Sequence, residues 1–220
     1  TILPAVKKRI KTFSENISDV EIGFFGGTFT GMKTETQKAL LLEAHKAMKK
    51  FPFIKGIRIS THPQLINSNI LNFLKEFQVK TIELGIQSFD NNVLSHSGRM
   101  YTKKDAVEAS IAVKKHGFKL GIQLMTGLPY DNEKKSYLSA ATACELKPDF
   151  SRIYPCIIFK NTPLAELYNK KGFIPLSIEK TIHIIKKMLL LFMLKKIPVI
   201  RVGIHPVKNT QNIIAGPYHV

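Results

Sequence analysis

Amide and guanidinium side chains interrupt stretches of the chain that are otherwise aliphatic. Gln87 and Gln123 lie within TIELGIQ and LGIQLM, and Arg58, Arg152 and Arg201 break IRIS, SRIY and VIRVG in the same way. A buried amide needs hydrogen-bond partners and a buried guanidinium needs an anion. Each is therefore either satisfied by neighbouring protein groups or turned toward a ligand. Glu83 stands four residues before Gln87, on the same face of an alternating strand. Arg99 follows Gly98 in a short loop, where it either reaches a carboxylate or stays in solvent. His62 and His205 are candidate bases, with a solvated loop ring as the alternative, and the histidine spacing describes no metal site. The two cysteines, Cys144 and Cys156, are too few and too far apart for a disulfide framework or a CxxC-type site. They read as small buried hydrophobes. Cys156, one residue past an expected strand end, is the one that chemistry could reach.

Positioning these groups requires a regular scaffold. Alternating apolar runs and amphipathic stretches predict repeated β-loop-α units feeding a parallel sheet. Strands are expected over residues 20–25, 56–60, 81–87, 119–126, 151–155 and 199–203. Helices are expected over 3–13, 34–50, 67–77, 103–116, 132–146 and 177–196. The runs IGFF, TIELGI and LGIQLM are nearly unbroken in apolar character, which predicts strands buried on both faces. Such an α/β series either closes as a barrel or stays open as a doubly wound sheet. Neither GxGxxG nor GxxxxGKS follows a strand, so the two commonest nucleotide loops are missing. The strand ends carry GGTFT (26–30), STHP (60–63), QSF (87–89), GLP (127–129), YP (154–155) and HP (205–206). In a β/α barrel the carboxyl ends of the strands carry the active site, although Gly, Pro and Ser also belong in any turn.

Composition narrows the class. With 220 residues, 44% of them hydrophobic and 22% charged, the chain can bury a sizeable core and is neither disordered nor fibrous. The run from Met188 to Leu194 is flanked by Lys186, Lys187, Lys195 and Lys196, and Lys7, Lys8, Arg9 and Lys11 break any leader-like apolar stretch. No membrane span or signal peptide is expected, and the expected compartment is the cytoplasm. The formal charge of +17 would suit a polyanion such as RNA, yet only Arg9, Arg58, Arg99, Arg152 and Arg201 of the 33 cations are arginine. Bidentate phosphate recognition favours arginine, so a lysine-coated solvated surface is the competing explanation.

The ordered fragments FFGGTFTG, IRISTHP, ELGIQSFD, a loop with GR, GIQLMTGLP and RIYPCIIFKNTPL resemble the radical S-adenosylmethionine (SAM) domain of the Elongator catalytic subunit and its bacterial relatives. More loosely, they are similar to oxygen-independent coproporphyrinogen oxidase. The likeness covers about residues 20–219. It implies an open, partial β/α barrel of the radical SAM type with about six mostly parallel strands, and one domain over 1–220. It implies SAM and a [4Fe–4S] cluster as cofactors, reductive cleavage of SAM to a 5′-deoxyadenosyl radical, and an electron donor such as flavodoxin or ferredoxin. It points to RNA or a modified nucleobase as substrate. On this resemblance Gly26, Gly27 and Thr28 meet the amino group of SAM, and Ser60 and Thr61 approach it. Gln87 matches the glutamine of a VQS-type motif and Arg99 pairs with the methionine carboxylate. Gln123 replaces a ribose-binding aspartate, and an amide can still bond a ribose hydroxyl. Tyr154, Lys160, Arg201 and His205 are the expected substrate-facing residues. The family's cluster-binding CxxxCxxC has no counterpart here, since no Cys precedes Cys144. The chain is therefore expected to be a fragment or remnant, truncated at both ends and inactive alone. Two other readings stand beside it: a non-catalytic SAM- or nucleotide-binding module, and a cluster-independent β/α-barrel enzyme.

Overall fold

The computed structural model describes residues 2–13, 20–204 and 210–218. Helix α1 (Ile2–Ile10) precedes strand β1 (Val20–Phe24), and α2 (Thr34–Lys50), β2 (Ile54–Thr61), α3 (Ser68–Glu76) and β3 (Val79–Gln87) follow. The short α4 (Asn91–His96) and α5 (Lys103–Lys115) lead to β4 (Lys119–Thr126), α6 (Glu133–Glu145) and β5 (Phe150–Pro155). The chain then runs through β6 (Ile158–Phe159), α7 (Pro163–Asn169), α8 (Ile178–Leu194), β7 (Val199–Val202) and β8 (Ile213–Ala215). The six long strands follow the order β1-β2-β3-β4-β5-β7, and β6 pairs with β8 in a separate two-stranded sheet. All six expected strands and six expected helices are present, with ends displaced by up to three residues. The short α4 and α7 and the β6–β8 pair are additional.

Helix starts follow local chemistry. Asn67, Asp90, Asn132, Thr162 and Ser177 each accept a hydrogen bond from the backbone amide three residues on, satisfying one of the amides that a first helical turn leaves open.

Two compact units divide the chain, residues 1–85 with 108–120 and residues 86–107 with 121–220. In the first, β1 pairs with β2 and β2 with β3, both parallel, with Gly23, Arg58 and Thr81 in one row. In the second, β4 pairs with β5 and β5 with β7, again parallel, with Gln123, Arg152 and Arg201 in one row.

Residues two apart along a strand share a face, and the two faces differ. Ile57, Ile59, Ile82, Leu84, Ile122, Leu124 and Ile153 are fully buried. The alternate positions carry Arg58, Ser60, Gln123, Arg152 and Tyr154, all half-buried. Burial on both faces, expected from the apolar runs, is found in β3, where Thr81, Glu83 and Gln87 are buried as well. It is not found in β4, nor in β1, none of whose residues is buried. Their apolar look came from one aliphatic face plus small residues such as Gly23 and Gly121 on the other.

Candidate functional site

In the first unit the loop after β1 presents bare backbone. Gly26 has φ +100, and a Cβ at Gly26 or Gly27 would meet nothing within 4 Å. That φ excludes ordinary side chains. Gly26 and Gly27 line a cavity with Thr28, Phe25, Phe24 and Met32. The loop is held from beneath: the Phe24 and Phe29 rings lie 5.1 Å apart, and the Thr30 and Thr61 hydroxyls share a 2.5 Å hydrogen bond. The buried Gln37 amide donates to the Met32 and Thr30 carbonyls at 2.7 and 3.3 Å. Thr61, expected beside a ligand, thus spends its hydroxyl on the loop. Ser60 falls on the opposite face, in register with Glu83. Arg58 finds its anion within the protein. Its Nη2 and Nε lie 2.6 and 2.9 Å from Glu21 Oε2, and the Thr81 hydroxyl donates to Glu21 Oε1 at 2.5 Å. Glu21 was missed in the sequence, because nothing local marks a glutamate at a strand start as the partner of an arginine 37 residues away.

In the second unit the end of β3 is strained and braced. Gln87 has φ +66 and the Ser88 amide reaches back to the Ile86 carbonyl at 2.7 Å, which makes Gln87 the centre of a γ-turn, a rare and strained conformation. Of the other non-glycine residues with positive φ, Gln78, Lys147, Lys171 and Lys196 directly follow helix ends, where a left-handed residue is common. Gln87 has no such excuse and is buried. The Tyr101 hydroxyl donates to the Ile86 carbonyl at 2.5 Å, and the Ser139 hydroxyl accepts the Phe89 amide at 3.0 Å. Burial pushes the Tyr101 phenol well above its ordinary range, against the pull of nearby Arg99. At the apex, Gln123 Nε2 donates to Gln87 Oε1 at 2.9 Å. That leaves Gln87 Nε2 as a donor and Gln123 Oε1 as an acceptor with no partner among the described residues. Arg99, two residues before the Tyr101 brace, is half-buried, and its guanidinium makes no hydrogen bond or ion pair with the described residues.

Tyr154 and Arg201 share the polar face of β5 and β7. Arg152 Nη1 donates to the Tyr154 hydroxyl at 3.1 Å. Lys160 is exposed, beyond β6, with its amide on the Asn212 carbonyl, and His205 lies outside the described residues. Cys156, expected within reach of chemistry, is instead 3% exposed, packed with Val93 and Leu128. Near it the half-buried Asp131 accepts from the Gly127 amide at 2.8 Å and the Ser136 hydroxyl at 2.7 Å.

The family model described as the Radical SAM superfamily matches residues 3–136, and the Radical SAM C-terminal domain matches 148–220. The chain belongs to the radical SAM superfamily. The tRNA uridine(34) acetyltransferase of Methanocaldococcus infernus is 26% identical over 185 residues, covering 76% of this chain and 35% of that protein. The structure of Methanocaldococcus infernus Elp3 with an N-terminal deletion superposes with a TM-score of 0.82 at 21% identity, covering 96% of this chain and 54% of that one. Coproporphyrinogen III oxidase (HemN) of Escherichia coli, a radical SAM enzyme, gives 0.62 at 17% identity, over 80% of this chain and 40% of that one. These likenesses establish the fold, the open partial β/α barrel of radical SAM proteins. The chain spans 24–42% of the first curated relatives it matches.

Radical SAM proteins use SAM and a [4Fe–4S] cluster. The donor groups here fit the first. In the second unit the spare amide donor and acceptor of Gln87 and Gln123 and the Arg99 guanidinium offer partners to polar groups of the kind SAM carries, and in the first unit the bare backbone at Gly26 and Gly27 does the same. They do not fit the second. Cluster iron binds thiolate, whereas Cys144 and Cys156 are buried thiols in different elements. Burial pushes them up to about 11 and about 12, the latter helped by Asp131. Among the described residues no three His, Cys, Asp or Glu side chains come together to hold a metal. Nor is any helix among them long and apolar enough to cross a membrane.

Proposed function

We propose that this chain is the SAM-binding barrel portion of a radical SAM enzyme acting on RNA or a modified nucleobase. The observation that carries the reading is the strained, braced turn at Gln87. A buried non-glycine γ-turn costs free energy and persists where its surroundings impose it, a pattern concentrated at ligand sites. Here it aims an amide pair with unused valence. Gln87 and Gln123 would hold the ribose hydroxyls, Arg99 the methionine carboxylate, and Gly26, Gly27 and Thr28 the amino group, with Ser60 lining the approach. When bound, SAM supplies the adenosyl group with which this superfamily abstracts hydrogen. Among the described residues no side-chain cluster could hold the iron–sulfur group, and an electron donor of flavodoxin or ferredoxin type would serve the intact enzyme. The relatives named for tRNA support an RNA substrate, as does the charge of +17. Tyr154, Arg201, Lys160 and His205 are the substrate-side candidates.

Calorimetric titration of the chain with SAM tests the reading. Binding should be weak, because the cluster normally chelates the amino and carboxylate groups, and Arg99→Gln should weaken it at least about tenfold, as loss of a charge-assisted bond does. Tight binding indifferent to Arg99→Gln would remove the basis for this site.

A further inference from the structure

Arg152 and Arg201 stand side by side. They are register partners on adjacent parallel strands, whose backbones run about 4.8 Å apart, so both side chains leave the same face of the sheet. A register shift between Ser151 and Arg152 precedes this pair, and Val202, next along the strand and so on the other face, lines a cavity with Ile178, Ile182 and Ile185 of α8. Like charges directly opposite one another are destabilising in a sheet, and a half-buried guanidinium carries five donors to satisfy. Arg152 is engaged by the Tyr154 hydroxyl. Arg201 is half-buried, and its guanidinium has no hydrogen bond or ion pair with any described residue. Gln123 continues the row on the other side of Arg152, adding an amide and no negative charge.

We propose that Arg201, with Arg152 beside it and Tyr154 at the outer edge, forms a phosphate-binding subsite on this face of the sheet. Adjacent guanidiniums match the oxygens of a phosphoryl group bidentately, and Arg201 brings donors that no described residue occupies. The subsite deepens the proposed function and rests on it only in taking this face as the one that meets substrate. The phosphate comes either from a nucleic acid backbone or from a free phosphate or small phosphoester.

The test follows the Arg201 Nε–Hε resonance by NMR while the chain is titrated separately with inorganic phosphate, a short single-stranded oligoribonucleotide and uridine. Saturable shifts with phosphate or oligoribonucleotide, and none with uridine, are expected. Response to the oligoribonucleotide alone identifies a backbone phosphate, and response to inorganic phosphate alone a small ligand. Arg201→Gln should weaken binding at least about tenfold, and Arg201→Lys, which keeps the charge and loses the fork, by less. Arg9→Gln removes the same charge from an exposed site and should change affinity less than about twofold. An equal loss in Arg9→Gln would mean diffuse attraction to a basic protein and would overturn the subsite, as would silence toward both phosphate probes. A SAM titration separates the two readings. If the parent chain fails to bind SAM yet binds phosphate through Arg201, the proposed function falls and the subsite stands.

Discussion

A glutamine at φ +66 carries a conformational cost of about 1–3 kcal/mol, and the surrounding hydrogen bonds at Gln87 have to offset it. Tyr101→Phe removes one brace and leaves the Ile86 carbonyl with the Ser88 amide alone, so it should lower stability by about 1 kcal/mol and weaken SAM binding as well. Urea denaturation beside the SAM titration checks it; lost stability with unchanged affinity would make the tyrosine merely structural. Asp131 gives a pH-dependent counterpart. Burial raises its carboxyl above the ordinary 3.8, in spite of the Ser136 hydroxyl and the Gly127 and Asn132 amides. The folded chain therefore keeps this proton over a range in which the unfolded chain has lost it. Its stabilising contribution is full below about pH 3.8 and declines as pH rises through the folded value. Asp131→Asn abolishes that decline, so the variant should gain on the parent as pH rises above about 3.8 in denaturant titrations. A difference constant with pH would refute it. Gln87 and Gln123 stood out in the sequence because polar groups inside apolar runs advertise themselves, and Arg99 by its place after Gly98 in a loop. Tyr101 and Ser139 were not, since each serves a backbone atom brought near only by folding.

At the scale of elements, each strand divides its labour between two faces. Ile59, fully buried, should cost about 2–5 kcal/mol as Ile59→Ala. Its neighbour Ser60, on the polar face, should cost within about 0.5 kcal/mol as Ser60→Ala. Comparable losses in urea titrations would contradict the face assignment. Period and punctuation made the long strands and helices readable. The β6–β8 pair was not, because it joins segments of two and three residues more than fifty positions apart, and no local pattern encodes such a pairing. Helices of six and seven residues, α4 and α7, are equally short of a periodic signal. The face division was misread because glycines among aliphatics look apolar while contributing no packing.

For the whole molecule, the charge of +17 sets a strong, salt-sensitive background of anion attraction, and specific recognition has to rise above it. The arginines serve different ends: Arg58 is committed to Glu21, while Arg99 and Arg201 retain their donors. Both cysteines belong to the unit formed by residues 86–107 and 121–220, Cys144 in α6 and Cys156 just past β5. Buried and protonated, they are closed to alkylating reagents until the chain around them opens. They therefore act as two clocks set in the same body. In a neutral iodoacetamide time course, with each site followed by peptide mass spectrometry, matching rates would mean that this unit opens cooperatively. A faster Cys144 would mean that α6 detaches first, and its rate would give the free energy of that partial opening without any denaturant.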